Sequence, residues 1–299
     1  MRKWLEYAVV WVLVKLLGFL PRRAARTIGA GVGAAAYVLM GRLRQTGLRN
    51  LELAFPEKPV ADRERMLRRL YRNLGWQMGE FCQMPKYTRE NTRGFLRYEG
   101  LENYVAARER ANGVLIVTGH LGAWELSSYY HSLMGYPMSI VIRRLDNERV
   151  DRLVNAIRCL HGNRVVHKDE FARGLLAAMR QGETVGILMD TNMTPPQGVF
   201  VPFFGRMACT ASGLSRVAVK TGAAVLPGFM VWEEAEQKYV LRFGGEIPVV
   251  RTGDDEADAL ANTARFTAVI EEWVRRYPEQ WLWVHRRWKT RPDGTREQD

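Results

Sequence analysis

Residues 114–125 read Val114-Leu-Ile-Val-Thr-Gly-His120-Leu-Gly-Ala-Trp-Glu125, and the reading of this stretch decides the fold. Residues 114–117 form a short apolar run rich in β-branched side chains, which fits a buried strand. Thr118 and Gly119 turn the chain, and residues 126–133 then carry a helical pattern. The alternation recurs downstream. Residues 138–142 and 184–189 read as strands, and 150–160, 171–180 and 214–220 as helices. Strands at 224–231 and 239–243 and a long helix at 256–277 follow. Upstream, 50–80 is helical, with a charged face around Arg63, Glu64, Arg65, Arg68 and Arg69. Strands interleaved with helices imply an α/β fold, a mostly parallel central sheet flanked by helices.

In open α/β sheets reactive groups gather beyond the carboxyl ends of the strands. His120 lies at such an end, between Gly119 and Gly122, where the backbone can bend and a substrate can approach. Glu125 follows five residues on. Along a continuous helix that spacing separates side chains by about 140°. The two therefore meet only if His120 sits in the turn and Glu125 in the first helical turn. A carboxylate beside an imidazole fixes its tautomer and raises its basicity, leaving the other ring nitrogen to take a proton from a hydroxyl. A histidine that only caps the helix, beside a solvated glutamate, fits the same spacing.

The 299 residues are 47% hydrophobic and 25% charged, a globular balance. The net charge of +12 and pI near 9.9 point to polyanions. Nine of the Lys and Arg residues, against the single acidic Glu6, fall within residues 1–50, so +8 of the charge lies there. Residues 4–20 are apolar apart from Glu6 and Lys15, and Arg22, Arg23 and Arg26 follow; a second apolar stretch, 28–40, is closed by Arg42 and Arg44. Basic residues beside apolar helices are the footprint of an anionic membrane face. Interleaved aromatics or a groove-reading helix, which nucleic-acid binding would call for, are not seen. Leu20-Pro-Arg-Arg23 is a poor signal-peptidase site, so residues 1–45 read as a helical membrane anchor and 46–299 as the α/β domain. Whether the anchor spans the bilayer or lies in its interface stays open. Cys82, Cys159 and Cys209 are scattered and odd in number, suggesting neither a disulfide framework nor a zinc site.

The segment Val117–Leu126 resembles the first block of the lysophospholipid acyltransferase superfamily. More closely, the chain is similar to the bacterial lipid A biosynthesis acyltransferases, the lauroyl and myristoyl transferases. That likeness runs through Asn50-Leu-Glu-Leu-Ala-Phe-Pro56, Arg143-Arg-Leu-Asp-Asn147, Phe200-Val-Pro-Phe-Phe-Gly205 and Thr221-Gly-Ala223. It ends with the distinctive Tyr277-Pro-Glu-Gln-Trp-Leu-Trp-Val-His-Arg-Arg-Trp-Lys-Thr-Arg-Pro292.

The resemblance implies a glycerolipid-acyltransferase-like fold at the cytoplasmic face of the inner membrane. It implies one-step acyl transfer from a thioester of acyl carrier protein or coenzyme A to a hydroxyl of a membrane lipid, with no metal or other cofactor. His120 would be the general base and Glu125 its orienting partner, and the absence of a G-x-S-x-G elbow agrees with a direct transfer. Backbone N–H groups near the helix start would serve the oxyanion. Arg143, Arg158 and Asp190 match positions of the family's site and would bind substrate, the arginines suiting a phosphorylated acceptor. The family often has Arg-Pro where this chain has Arg143-Arg144, and Asp-Gln or Asp-His where it has Asp190-Thr191. A lipid A precursor is the leading acceptor; a lysophospholipid or glycosylated phospholipid is the rival, and a non-enzymatic polyanion binder at the membrane surface is a reading of another class. Phe203, Phe204 and Gly205 would line an acyl channel or pack the core. His285, Arg286 and Arg287 would bind phosphate or hold the fold, and Trp281, Trp283 and Trp288 read as core.

Overall fold

A computed structural model describes residues 1–110, 112–167 and 171–295. Four helices come first: α1 (Arg2–Phe19), α2 (Arg22–Leu39), α3 (Gly41–Ala54) and α4 (Val60–Gln83), followed by the single turn α5 (Arg89–Thr92). The α/β part then runs β1 (Leu96–Glu99), α6 (Leu101–Glu109), β2 (Val114–Thr118), α7 (Trp124–Leu133), β3 (Ser139–Ile142) and α8 (Glu148–Arg158). It continues with β4 (Arg164–His167), α9 (Phe171–Arg180), β5 (Thr184–Leu188), β6 (Gly198–Phe203), β7 (Arg206–Ala211), α10 (Gly213–Thr221), β8 (Ala224–Glu233), β9 (Lys238–Phe243) and α11 (Asp255–Arg276).

Seven strands form the central sheet in the order β1-β9-β8-β2-β5-β3-β4. All neighbours are parallel except β8 and β9. The α/β reading of the sequence holds. The apolar run of β2 is explained by burial on both faces: Leu115 and Val117 enter one core, and Val114 and Ile116 the other. The helical stretch expected at 50–80 is interrupted, because Phe55-Pro56 ends α3 and α4 begins only at Val60.

The N-terminal segment is helical, as expected, and α2 packs along α4. A Cβ on Gly29 would stand 2.0 Å from the carbonyl oxygen of Gly75, and one on Gly33 2.1 Å from that of Tyr71, so backbone meets backbone there. Arg22 and Arg26 reach from α2 to the buried Glu80 of α4, with Arg22 bonding both its oxygens at 3.0 and 2.6 Å. Among the described residues no helix is long and apolar enough to cross a membrane. The 18 residues of α1 span about 27 Å and include Lys3, Glu6 and Lys15, so the expected anchor is unsupported as a spanning element.

Candidate active site

The β2–β5 register places Thr118 opposite Leu188 at the carboxyl ends of two adjacent strands. His120 and Asp190 each lie two residues further on and meet there. The Asp190 Oδ1 stands 2.8 Å from His120 Nδ1, and Asp190 Oδ2 accepts the backbone N–H of His120 at 2.6 Å. The same Oδ2 accepts the indole N–H of Trp281 at 2.8 Å. Gly119 makes the approach possible, since a Cβ there would lie 2.9 Å from the Asp190 carboxyl. Burial pushes the Asp190 carboxyl up, but His120 and the bonds from His120 and Trp281 outweigh it and hold the group at about 2. Asp190 is thus a carboxylate locked on an imidazole.

The sequence reading gave that role to Glu125, and the geometry corrects it. His120 does sit in the turn and Glu125 in the first turn of α7. The Glu125 carboxylate, however, is held bidentately by Arg158 of α8, with Nε at 2.8 Å and a terminal nitrogen at 2.5 Å. Burial lowers the Arg158 pKa, but Glu125 more than offsets it and leaves the guanidinium above the ordinary arginine range. Arg158 is therefore the counter-ion of Glu125. Asp190, expected as a substrate ligand, takes the orienting place. Arg143 lies exposed at the rim, 3.6 Å from Asp146.

The N–H groups near the start of α7 are partly spent on the fold: Gly122 donates to Gln280 and Ala123 to Met230. Gly122 adopts φ 63°, and a Cβ there would lie 1.9 Å from the Met230 oxygen, so the chain bends onto β8 at this point.

From His120 a largely apolar cavity of about 280 Å³ runs inward between the sheet and α7, with Glu125 also on its wall. Ile116, Ile140, Leu188 and Leu241 line the sheet side, Trp124 and Ser128 the helix side, and Arg143, Leu145 and Arg158 are also on the wall. Gly186 and Gly228 stand on the sheet where side chains would otherwise fill the trough. The buried His131 also lines it, its Nδ1 2.9 Å from the Tyr98 hydroxyl. Burial, aided by Arg108, pulls His131 down to about 3, so it is neutral.

Sequence reasoning missed how the C-terminal run builds this site. Trp281 bonds Asp190, and Leu282 N–H donates to the His120 carbonyl. His285 Nε2 accepts the N–H of Asn192 at 2.9 Å. Arg287, fully buried, donates to the Cys209 carbonyl at 2.9 Å and to Thr210. Burial lowers Arg287 to about 10, against the pull of Asp190 and Cys209. The tryptophans are core, as read, yet Trp281 is also part of the site; the length of that distinctive run was the available signal. Phe203 and Phe204 pack against Trp281, Trp288, Trp283 and Phe55, which settles them as core residues.

A histidine–carboxylate pair stands at the mouth of a largely apolar cavity on the carboxyl edge of a mostly parallel sheet, an arrangement capable of general acid–base chemistry. Residues 1–290 match the family model of the bacterial lipid A biosynthesis acyltransferases, and the chain belongs to that family. It is an acyltransferase. It is 29% identical over 292 residues to the lipid A biosynthesis palmitoleoyltransferase of Escherichia coli (strain K12), covering 97% of this chain and 92% of that protein. The lauroyltransferase of the same organism is 29% identical over 296 residues, with 97% and 92% covered. The myristoyltransferase is 23% identical over 274 residues, with 92% and 84% covered.

Proposed function

We propose that this enzyme transfers a fatty acyl chain from the thioester of acyl carrier protein to a hydroxyl of a lipid A precursor at the cytoplasmic face of the inner membrane, with His120 as general base. The observation that carries the reading is the His120–Asp190 pair, 2.8 Å apart, opening onto an apolar cavity. With Nδ1 held by Asp190, Nε2 takes the proton of the acceptor hydroxyl as its oxygen attacks the thioester carbonyl carbon. The tetrahedral oxyanion then collapses, the C–S bond breaks, and the imidazolium returns its proton to the leaving thiolate. Asp190 stabilises the imidazolium between those two events. The donor's hydrocarbon chain lies in the cavity over Gly186 and Gly228. Arg143 and Arg144, exposed beside its mouth, face the phosphates that a carrier-protein thioester and a lipid A precursor bring.

The exposed side chains of α1 support membrane attachment as part of this reading. Trp4, Leu5, Val9, Trp11, Val12, Leu16 and Phe19 are all exposed on it. Lys3 and Glu6 of that helix bond Asn147, close to Arg143 and Leu145 of the cavity wall, so a bilayer touching α1 lies beside the cavity.

Incubating purified enzyme with labelled acyl carrier protein and a lipid A precursor should give an acylated product. His120→Ala and Asp190→Asn should each lower kcat by about 10²–10⁴-fold with folding preserved. No product with any lipid A precursor overturns the acceptor; full activity of His120→Ala overturns the base.

A further inference from the structure

A second apolar cavity, of about 440 Å³, lies next to the first. Its wall is built by Ile187, Met189, Met193, Ala211 and Leu214, around the start of α10. Side chains alternate along a strand, so Ile187 and Met189 face away from Gly186 and the first cavity. The two cavities thus lie on opposite faces of the sheet, yet they share Val141, Leu188 and Thr191.

The sheet itself provides the junction. β2 and β5 stay paired as far as Thr118 and Leu188, whereas β3 and β5 pair only at Ser139–Val185 and Ile140–Gly186. Beyond Ile140 the two strands part, and Val141 and Leu188 stand at the gap. Thr191 and Met189, on the second cavity's wall, are the chain neighbours of Asp190. The first cavity therefore reaches His120 on one face of the sheet, and the second reaches the chain neighbours of Asp190 on the other.

We infer that the second cavity receives the hydrocarbon tail of the acceptor; the inference rests on the function proposed above, with the attacking hydroxyl carried by a hydroxyacyl chain of the lipid A precursor. Such a hydroxyl sits partway along an alkyl chain. When it reaches His120, the methylenes beyond it need an apolar place, and the first cavity is the one assigned above to the donor chain. The second cavity adjoins the first at Val141, Leu188 and Thr191, next to Asp190, and offers that tail an apolar site of its own. Each methylene moved out of water there adds to acceptor binding.

The test compares acceptors whose hydroxyacyl tail is full-length or cut back just past the hydroxyl, in wild type and in Ala211→Phe, which fills the second cavity. The expected result is a KM for the full-length acceptor raised by about tenfold or more, the equivalent of two lost methylene contacts, with the truncated acceptor and the donor-length preference unchanged. Equal effects on both acceptors, or a changed donor-length preference instead, overturn the inference. A photoreactive 3-hydroxyacyl amide with a diazirine at its tail end gives a readout independent of turnover. Mapped crosslinks at Met193, Ala211 or Leu214 support the second cavity; crosslinks confined to Ile140, Met138 and Phe243 overturn it. Wild type that labels in the second cavity but transfers to no lipid A precursor would refute the proposed function while leaving the hydroxyacyl site standing.

Discussion

Two carboxylates stand near His120, and their partners separate their roles. Glu125 neutralises Arg158, whose side chain is 14% exposed, so removing Glu125 strands a largely buried cation. Glu125→Ala should lower stability by about 2–3 kcal/mol, and adding Arg158→Ala should restore part of it. Denaturant unfolding of the double-mutant cycle reads this directly, and zero coupling would refute the ion-pair role. His131 gives a second residue-scale expectation. Its folded pKa, about 3, lies below its ordinary 6.5, so unfolding takes up a proton between those values. Its contribution is therefore complete above pH 6.5 and declines as pH falls towards 3. In His131→Gln the acid slope of stability over that window should flatten by up to about 1.4 kcal/mol per pH unit; an unchanged slope would show that other groups set it.

Elements meet at places where side chains are missing. The α2–α4 contact depends on Gly29 and Gly75, whose carbonyls would collide with any added Cβ at 2.0 Å. Gly75→Leu should destabilise by about 1–3 kcal/mol or more through forced separation of the helices, measurable as a lowered Tm; a neutral effect would mean the pair can slide apart freely. On the sheet, a Cβ at Gly228 would stand 2.7 Å from Ile116 and 3.0 Å from Phe243. Gly228→Val should therefore shift donor preference towards shorter acyl chains, read by competition between carrier-protein thioesters of two lengths. An unaltered preference would place the donor chain elsewhere. The elements themselves were unevenly legible. β2, β3, β5, β8 and β9 announced themselves as apolar runs because their side chains are largely buried. The edge strands β1 and β4 are half exposed and carry Arg97, Glu99 and Arg164, so no apolar pattern marks them. The β6–β7 hairpin was hidden by Pro202 and by its turn, where Phe204 and Gly205 both take positive φ.

At the scale of the whole molecule, the proposed membrane attachment combines the basic residues of the N-terminal segment with the exposed apolar side chains of α1. Binding to anionic vesicles should blue-shift tryptophan emission from Trp4 and Trp11 and weaken with salt. Leu5→Asp with Leu16→Asp should reduce partitioning by about tenfold or more while activity on detergent-dispersed substrate persists. Retained vesicle binding would move the attachment surface away from α1.

What the sequence determined by itself is local. A β-branched run followed by Thr118-Gly119 commits the chain to strand, turn and helix, and that alone puts His120 at a strand's carboxyl end. The blocks from Asn50 to Pro292 carried the family, and both the α/β class and the acyltransferase activity stand. Which carboxylate serves His120 was decided only by the tertiary structure. Glu125 is near in sequence, but α8 brings Arg158 to it, whereas Asp190, 70 residues away from His120 along the chain, arrives through the β2–β5 register. Strand register, and the packing of the C-terminal run over the site, are long-range matters of hydrogen-bond pairing and burial, which no short spacing in the chain encodes.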